Sequence, residues 1–226
     1  MTRRRAVAAL AVALAVRASA VRAQPVIVPG RLEIGIGPQW TGHAALGSRN
    51  ANETTGAGSP FTLFSSSTDL ASATGLEARI GVRVLRRLEA EVVGSYATPS
   101  LVIQTSADSE SAPGVAAKER LRQFTIHGAA VWYVPARRAG ARTAPFVTAG
   151  VGYLRHVHEK DVLLAGGTVY EAGAGIKQLL VSRDRRRLKG VGVRADVRAV
   201  ARAKGVAPDG GTHVSPAVTA SLFVRF

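Results

Sequence analysis

The most informative features of this 226-residue sequence are things that it lacks. It contains no cysteine, which excludes a disulfide framework and thiolate metal sites. After the first 23 residues, no segment approaches the roughly 18 uninterrupted apolar residues that a membrane-spanning helix requires. Acidic residues are scarce, 15 against 30 basic residues, and the formal net charge is +15. The chain is therefore neither a disulfide-stabilised module nor a helical membrane protein.

The first 23 residues have the composition of a secretory signal peptide. Arg3, Arg4 and Arg5 precede an apolar run over residues 6–16, and the small residues at 18–20 and 21–23 offer two cleavage sites. The apolar run is too short for a helical anchor, which needs about 20 residues. We therefore predict general secretion, removal of residues 1–23, and a single mature domain over residues 24–226.

Export changes how the positive charge is interpreted. Removing residues 1–23 takes away five arginines and no acid, so the formal charge falls from +15 to +10. A basic balance usually indicates an anionic partner, either nucleic acid or a membrane surface. Because an exported protein does not meet nucleic acid, we expect membrane lipids as the partner.

An alternation with a period of two residues recurs through the mature chain. Apolar residues make up 46% of the sequence, and they fall at every second position in segments of strand length. In the clearest segment, residues 191–199, valine and alanine alternate with glycine, arginine and aspartate. The eight predicted strands lie at residues 31–40, 76–84, 88–96 (running on towards Gln104), 123–134, 146–154, 170–177, 191–202 and 218–226.

The lengths of the connections predict the topology. Those at residues 85–87, 135–143 and 182–189 are short or moderate, whereas those at residues 43–73 and 106–120 are long. Short periplasmic turns and long outer loops are typical of a spanning barrel with an even number of strands, with both mature termini in the periplasm. Within the first long loop, residues 61–64 are either a strand extension above the membrane or a loop plug.

The C-terminal segment carries the most specific pattern, since apolar residues alternate up to a terminal aromatic one. These residues are Val218, Ala220, Leu222, Val224 and Phe226. In this segment, and in residues 145–153 and 192–198, the chain resembles small outer-membrane β-barrel proteins, in particular the eight-stranded barrel domain of outer membrane protein A. The resemblance implies an all-β, closed, antiparallel up-and-down transmembrane barrel of about eight strands in the outer membrane of a diderm bacterium. It also implies that the barrel assembly machinery recognises this C-terminal strand.

The polar face of the predicted strands is expected to point into the barrel. It carries six acids and eight bases: Arg31, Glu33, Glu77, Arg79, Arg83, Glu89, Glu91, Glu171, Lys177, Arg194, Asp196, Arg198, Arg202 and Arg225. Such near balance is expected of charges confined in a narrow barrel, because buried charges are costly unless paired. A soluble barrel would instead turn its apolar face inward.

A lumen charge network is therefore predicted. Its members are Glu33, Glu77, Arg79, Arg83, Glu89, Glu91, Glu171, Lys177, Arg194, Asp196 and Arg198. If a three-residue turn pairs Val84 with Leu88, Arg83 lies opposite Glu89 and Arg79 lies diagonal to Glu91.

Glycines and aromatic residues add two weaker indications. Eight glycines lie on the charged face and either make room for bulky arginines or reflect loose strand composition: Gly35, Gly37, Gly81, Gly150, Gly152, Gly173, Gly175 and Gly192. Outward aromatic residues form two predicted girdles, or belong to an ordinary core: Trp40, Tyr96, Phe124, Tyr153 and Tyr170 at the outer side, Trp132 and Phe226 at the periplasmic side.

An eight-stranded barrel has an interior just wide enough to be filled by side chains, so we predict a plugged lumen and a structural or surface-interaction role. No catalytic, cofactor or metal site is predicted. The pair His156 and His158 is an incomplete metal site, and His127 lies inside a strand without a recognisable serine and acid. The alternatives are a lipid A-modifying enzyme and a narrow passive pore. The basic periplasmic turns bind anionic headgroups or are simply solvated.

Overall fold

The computed structural model describes residues 31–106, 115–134, 142–158, 163–182, 188–204 and 211–226. The predicted signal peptide lies outside these residues, as do most residues of the predicted basic connections at 135–143 and 182–189. The described residues form β1 (Leu32–Thr41), β2 (Ala44–Thr54), β3 (Pro60–Leu70), β4 (Ala73–Leu85), β5 (Leu88–Ala97), β6 (Ser100–Ser106), β7 (Val115–Tyr133), β8 (Thr143–His158), β9 (Leu163–Ser182), β10 (Gly190–Lys204) and β11 (Thr212–Arg225). In this part of the chain, no helix has the length and hydropathy of a membrane span.

Eight of the strands close into an antiparallel barrel. Their order around the barrel is β1, β4, β5, β7, β8, β9, β10 and β11, and β11 pairs back with β1. Each strand therefore pairs with its neighbours in the chain, once β2, β3 and β6 are set aside. Closure matters because an unpaired backbone edge cannot face hydrocarbon. The predicted fold class is confirmed.

The remaining strands form an extension sheet at one end of the barrel. It consists of β2, β3, β6 and residues 115–120 of β7, paired in that order. Residues 61–64 lie in β3, so the strand extension is the correct one of the two alternatives. The predicted connection at residues 106–120 is shorter than expected, because β7 already begins at Val115. We call this end of the barrel the loop end and the other the turn end.

The tightest connection at the turn end differs in detail from the prediction. Arg83 pairs with Glu89 as expected, but Leu85, not Val84, pairs with Leu88. The register shifts between Arg83 and Leu85. Such a bulge inserts one extra residue into one strand, which leaves a two-residue turn, Arg86 and Arg87.

The outer wall of the barrel is apolar. Ile36, Leu76, Ile126 and Leu222 are each 58% or 59% exposed although they are large and hydrophobic. All seven aromatic residues of the two predicted girdles are also exposed: Trp40, Tyr96, Phe124, Trp132, Tyr153, Tyr170 and Phe226. An apolar exterior around a charged interior is the arrangement of a transmembrane barrel and the reverse of a soluble one.

The interior is layered along the barrel axis. Nearest the turn end lies an apolar cluster of Val131, Tyr133, Ala144, Phe146, Leu179 and Phe223. If the loop end is taken as the top of the barrel, a second apolar cluster lies above the charged middle. Its members are Leu154, Val169, Val200 and Ala217. The extension sheet has its own cluster of Ala44, Leu46, Leu70, Leu101 and Leu121.

Candidate functional site

The eleven residues of the predicted lumen network all lie inside the barrel. They come from β1, β4, β5, β9 and β10, and none is more than 7% exposed. Because side chains alternate between the two faces of a strand, each of these strands can direct its charged residues inward and its apolar residues to the outer wall. The network is bounded at both ends by the apolar clusters described above.

Lys177 is the centre of the network and is fully buried. Its ammonium group on β9 bonds to Glu33 on β1, to Glu89 at 2.9 Å and to Glu91 at 3.3 Å, both on β5. The three carboxylates offer oxygens within 4.8 Å of one another, a spacing that suits a metal ion. Here the ammonium group bonds to all three, so it supplies the positive charge that a metal would otherwise bring.

Arg194 connects opposite walls of the barrel. Its guanidinium on β10 lies 2.5 Å from Glu91 on β5, a strand four positions away around the barrel, and 2.9 Å from Asp196. Arg79 on β4 reaches the same Asp196 at 3.4 Å. The register places Arg79 diagonal to Glu91, as predicted, but its ionic partners are Glu77 and Asp196.

Arg198 forms the upper part of the network. It contacts Glu77 on β4, Glu171 at 3.1 Å on β9, and Asp196 at 2.9 Å. Glu171 also lies 2.7 Å from His127 on β7. His127 is only 4% exposed, and its pairing with this carboxylate could not be read from the sequence, because the two strands are not neighbours.

Two contacts join neighbouring strands at the lower edge of the network. Arg83 lies 3.0 Å from Glu89, and Arg225 on β11 lies 2.8 Å from Glu33 on β1. The second contact spans the seam where the barrel closes. Charge-assisted hydrogen bonds of this kind are roughly twice as strong as neutral ones.

Aromatic rings beneath the network were missed by the sequence reasoning. The Tyr133 hydroxyl donates to Glu89 at 2.5 Å, and the Arg83 guanidinium lies 4.1 Å from the centre of the Tyr133 ring. Arg194 lies 4.3 Å from the centre of the Phe146 ring. The sequence does indicate these interior rings, because bulky apolar residues occupy inward positions near the turn ends of their strands. Cation–π contacts stabilise the guanidinium groups when water is excluded.

The inward glycines make room for the charged side chains. A Cβ atom added at Gly173 would lie 2.6 Å from Cγ of Arg198, and one at Gly35 would lie 3.1 Å from Cγ of Arg79. Both distances are tighter than ordinary van der Waals contact. At these two positions, therefore, glycine makes room for an arginine side chain and does not merely reflect loose strand composition.

The predicted assembly segment forms the seam of the barrel. Val218, Leu222 and Phe226 are exposed on the outer wall, together with Ala220, while Val224 is half-buried. The backbone N–H of Phe226 donates to the carbonyl of Leu32 at 2.9 Å. Strand β11 thus joins the first barrel strand to β10.

Comparisons with known proteins support the fold. No protein-family model and no curated protein matches the chain. Among solved structures, the outer membrane protein OprG from Pseudomonas aeruginosa is similar over 88% of this chain and 96% of that chain, with a TM-score of 0.51 and 12% identity. Ail, the attachment invasion locus protein of Yersinia pestis, is aligned over 88% of this chain and 100% of that chain, with a TM-score of 0.39 and 12% identity. The likeness to OprG shows that this chain has the fold of a small outer-membrane barrel.

Proposed function

We propose that this chain is an integral protein of the bacterial outer membrane, with a closed lumen and a structural or surface-interaction role. The observation that carries the proposal is the inverted polarity of the barrel: large apolar side chains cover the outer wall, whereas paired charges fill the middle. A hydrocarbon solvent favours this arrangement and water opposes it.

The closed lumen is supported by the contacts that cross it. Lys177 and Arg194 bind carboxylates on distant strands, and apolar clusters lie below and above them. An ion on its way through would have to displace buried, hydrogen-bonded pairs and pass two apolar layers, which is strongly unfavourable. The alternative of a narrow passive pore lacks such support.

Conductance of the folded protein in planar lipid bilayers tests the closed lumen. We expect no stable openings at neutral pH, while a porin inserted into the same membranes gives its usual current steps. Stable openings of porin size would overturn the closed lumen. They would leave the membrane location untouched, because a pore also requires insertion.

The non-enzymatic role is supported by the position of His127. A general base must reach its substrate within hydrogen-bond distance, but this ring is 4% exposed, lies inside the barrel and faces Glu171. Lipid A from cells with and without the gene should therefore give identical mass spectra. A change in acylation that disappears in a His127→Ala variant would favour the enzyme instead.

A surface role requires the extension sheet to face the outside of the cell. Because the chain has no cysteine, single introduced cysteines report on topology without background. We expect Asn50→Cys in β2 to react with a membrane-impermeant maleimide on intact cells. Arg87→Cys, at the turn end, should react only after the outer membrane is permeabilised.

Recognition by the barrel assembly machinery is proposed for the outward face of β11 together with Phe226, the residue that follows it. We expect Phe226→Ser to slow the appearance of folded barrel in the outer membrane. Trp132→Ser, which removes another exposed aromatic residue at the turn end, is the matched control. Equal rates for both variants would contradict a specific role for the terminal residue.

A further inference from the structure

A groove interrupts the outer wall near the loop end. It has a volume of about 620 Å³ and is lined mainly by outward side chains of β1, β4, β5, β7 and β8. Its floor is formed by small residues, since Ala78 pairs with Gly94 on the neighbouring strand, and a Cβ atom added at Gly94 would meet nothing within 4 Å. Its walls are the exposed side chains of Leu76, Tyr96, Phe124, Ile126 and Tyr153.

The groove is a different kind of site from the lumen. The Tyr96 and Phe124 rings lie side by side with centroids 5.0 Å apart, and they form its upper wall at the level of the outer aromatic girdle. A depression of this kind in a lipid-facing wall accommodates a hydrocarbon chain, because it offers apolar contact on several sides of the chain.

Basic residues lie directly above the groove. Arg155 lines it and pairs in register with Phe124. On β7, the outward positions that follow towards the loop end are Arg122, Arg120 and Lys118. Arg155, Arg120 and Lys118 are exposed, and Arg122 is half-buried. At about 3.3 Å per residue, Arg122 stands roughly 7 Å above Phe124 and Lys118 roughly 20 Å above it.

The charge around these residues favours an anionic ligand. Among the described residues on this face of the extension sheet, the acid in register with the basic row is Asp69. It pairs with Val102, which in turn pairs with Lys118, and it accepts a hydrogen bond from His43 at 3.1 Å when that ring is protonated on Nε2. Arginine and lysine at the edge of a hydrocarbon layer bind phosphate through charge-assisted hydrogen bonds.

We propose that this groove and its basic rim bind a phosphorylated glycolipid of the outer leaflet, of the lipid A type. One acyl chain lies over Ala78 and Gly94, while Arg155 and Arg120 bind phosphates on the sugar headgroup. A lipid with several phosphates spread over a wide headgroup matches a basic row of this length better than a phospholipid with a single phosphate does. The inference rests on the proposed location in the outer membrane, with the loop end outside.

Native mass spectrometry of the full mature protein in detergent micelles tests the site. The ligands are lipid A, its dephosphorylated form and phosphatidylglycerol, each added to the same folded protein. We expect a complex with lipid A and at least roughly tenfold weaker binding of the other two, since losing one charge-assisted hydrogen bond weakens affinity by about that factor. Equal binding of phosphatidylglycerol, or of dephosphorylated lipid A, would overturn the proposal.

Two pairs of variants locate the binding. Arg155→Gln should weaken lipid A binding roughly tenfold, whereas Arg49→Gln, an exposed arginine on β2, should leave it unchanged. Gly94→Leu fills the groove and should also weaken binding. Gly128→Leu is its matched control, since Gly128 is an outward glycine with open space around it but does not line the groove.

The possible failures are distinguishable. Each protein is first checked for heat-modifiable migration on a gel, which reports closed-barrel folding. If the wild type does not fold as a barrel in lipid, the proposed function fails. If the wild type folds but binds lipid A no more tightly than the Arg155→Gln and Gly94→Leu variants do, only the lipid site is wrong.

Discussion

The barrel and the extension sheet use the same alternation of side chains with opposite polarity. The barrel buries charges and exposes large apolar residues, whereas the extension sheet buries an apolar cluster and exposes residues such as Asn50 and Glu53. Strand β7 belongs to both regions. Its outward positions change from Arg120 and Arg122 to Phe124 and Ile126, with the boundary between Arg122 and Phe124.

This difference shows that the surrounding solvent, not the strand pattern, decides which face is apolar. Leu121, two positions before the buried amide of Gln123, still belongs to the apolar cluster of the extension sheet. From Gln123 to His127 the inward positions of β7 are polar, while its outward positions from Phe124 onwards are apolar. The boundary between water and hydrocarbon therefore lies close to Phe124, in agreement with the preference of aromatic residues for that interface.

The largest expected effect is on the charged interior. Lys177→Met leaves Glu33, Glu89 and Glu91 without their shared cation, and breaking a buried ion pair from one side costs about 3–5 kcal/mol. We expect the free energy of unfolding to fall by about that amount. Heat-modifiable migration on a gel gives the folded fraction at each urea concentration, and the series gives the free energy. Lys118→Met removes an exposed lysine of β7 and should change it by less than about 0.5 kcal/mol.

The extension sheet should respond to the loss of apolar burial instead. Leu70 is 2% exposed in its cluster, so Leu70→Ala should cost about 2–5 kcal/mol of local stability. Limited proteolysis should then cut the extension sheet while the barrel keeps its heat-modifiable migration. Phe64→Ala, at a residue 40% exposed, should not increase cleavage. If Leu70→Ala unfolds the barrel as well, the two regions are not separable.

A charge introduced on the outer wall of the barrel tests whether that wall faces hydrocarbon. Ile80 is 53% exposed and lies midway along β4, so Ile80→Arg should cost about 2–4 kcal/mol in a bilayer. The same substitution at the exposed Asn50 in the extension sheet should be nearly neutral. Unfolding in vesicles measures both, and equal effects would place the wall of β4 in water.

The smallest effect concerns the room that glycine leaves for the interior charges. Gly173→Ala brings a Cβ atom within 2.3 Å of the Val197 carbonyl oxygen and 2.6 Å of Cγ of Arg198, and this overpacking should cost about 1–3 kcal/mol. Gly128→Ala, on the outer wall, meets nothing within 4 Å. Urea unfolding should show that Gly128→Ala is neutral or slightly stabilising.

The sequence predicts local features of this molecule better than distant ones. The alternation indicates the eight barrel strands and their inward faces, and the short turn predicts the pairing of Arg83 with Glu89. It does not predict that Lys177 meets Glu33 or that Arg194 meets Glu91. Those contacts depend on how far each strand is staggered against the next around the closed barrel, and local alternation carries no information about that stagger.

The groove on the outer wall was also beyond the sequence reasoning. The alternation puts both Ala78 and Gly94 on the outward face, but only the register of β4 and β5 shows that these two small residues lie side by side. Likewise, the bulge near Arg83 changes the turn by one residue without changing the inward pattern before it. Features that require the alignment of two strands at single-residue accuracy came from the structure.

The contacts of Lys177 also make the correct strand register more stable than a shifted one. If β9 paired one residue out of step, Lys177 would point into hydrocarbon, and Ile176 would replace the ammonium group that Glu33, Glu89 and Glu91 share. A single-residue slip would thus be penalised on both faces at once. A mispaired barrel would therefore be less stable than the correctly paired one, and Lys177 thereby favours one alignment of strands that are not neighbours in the sheet.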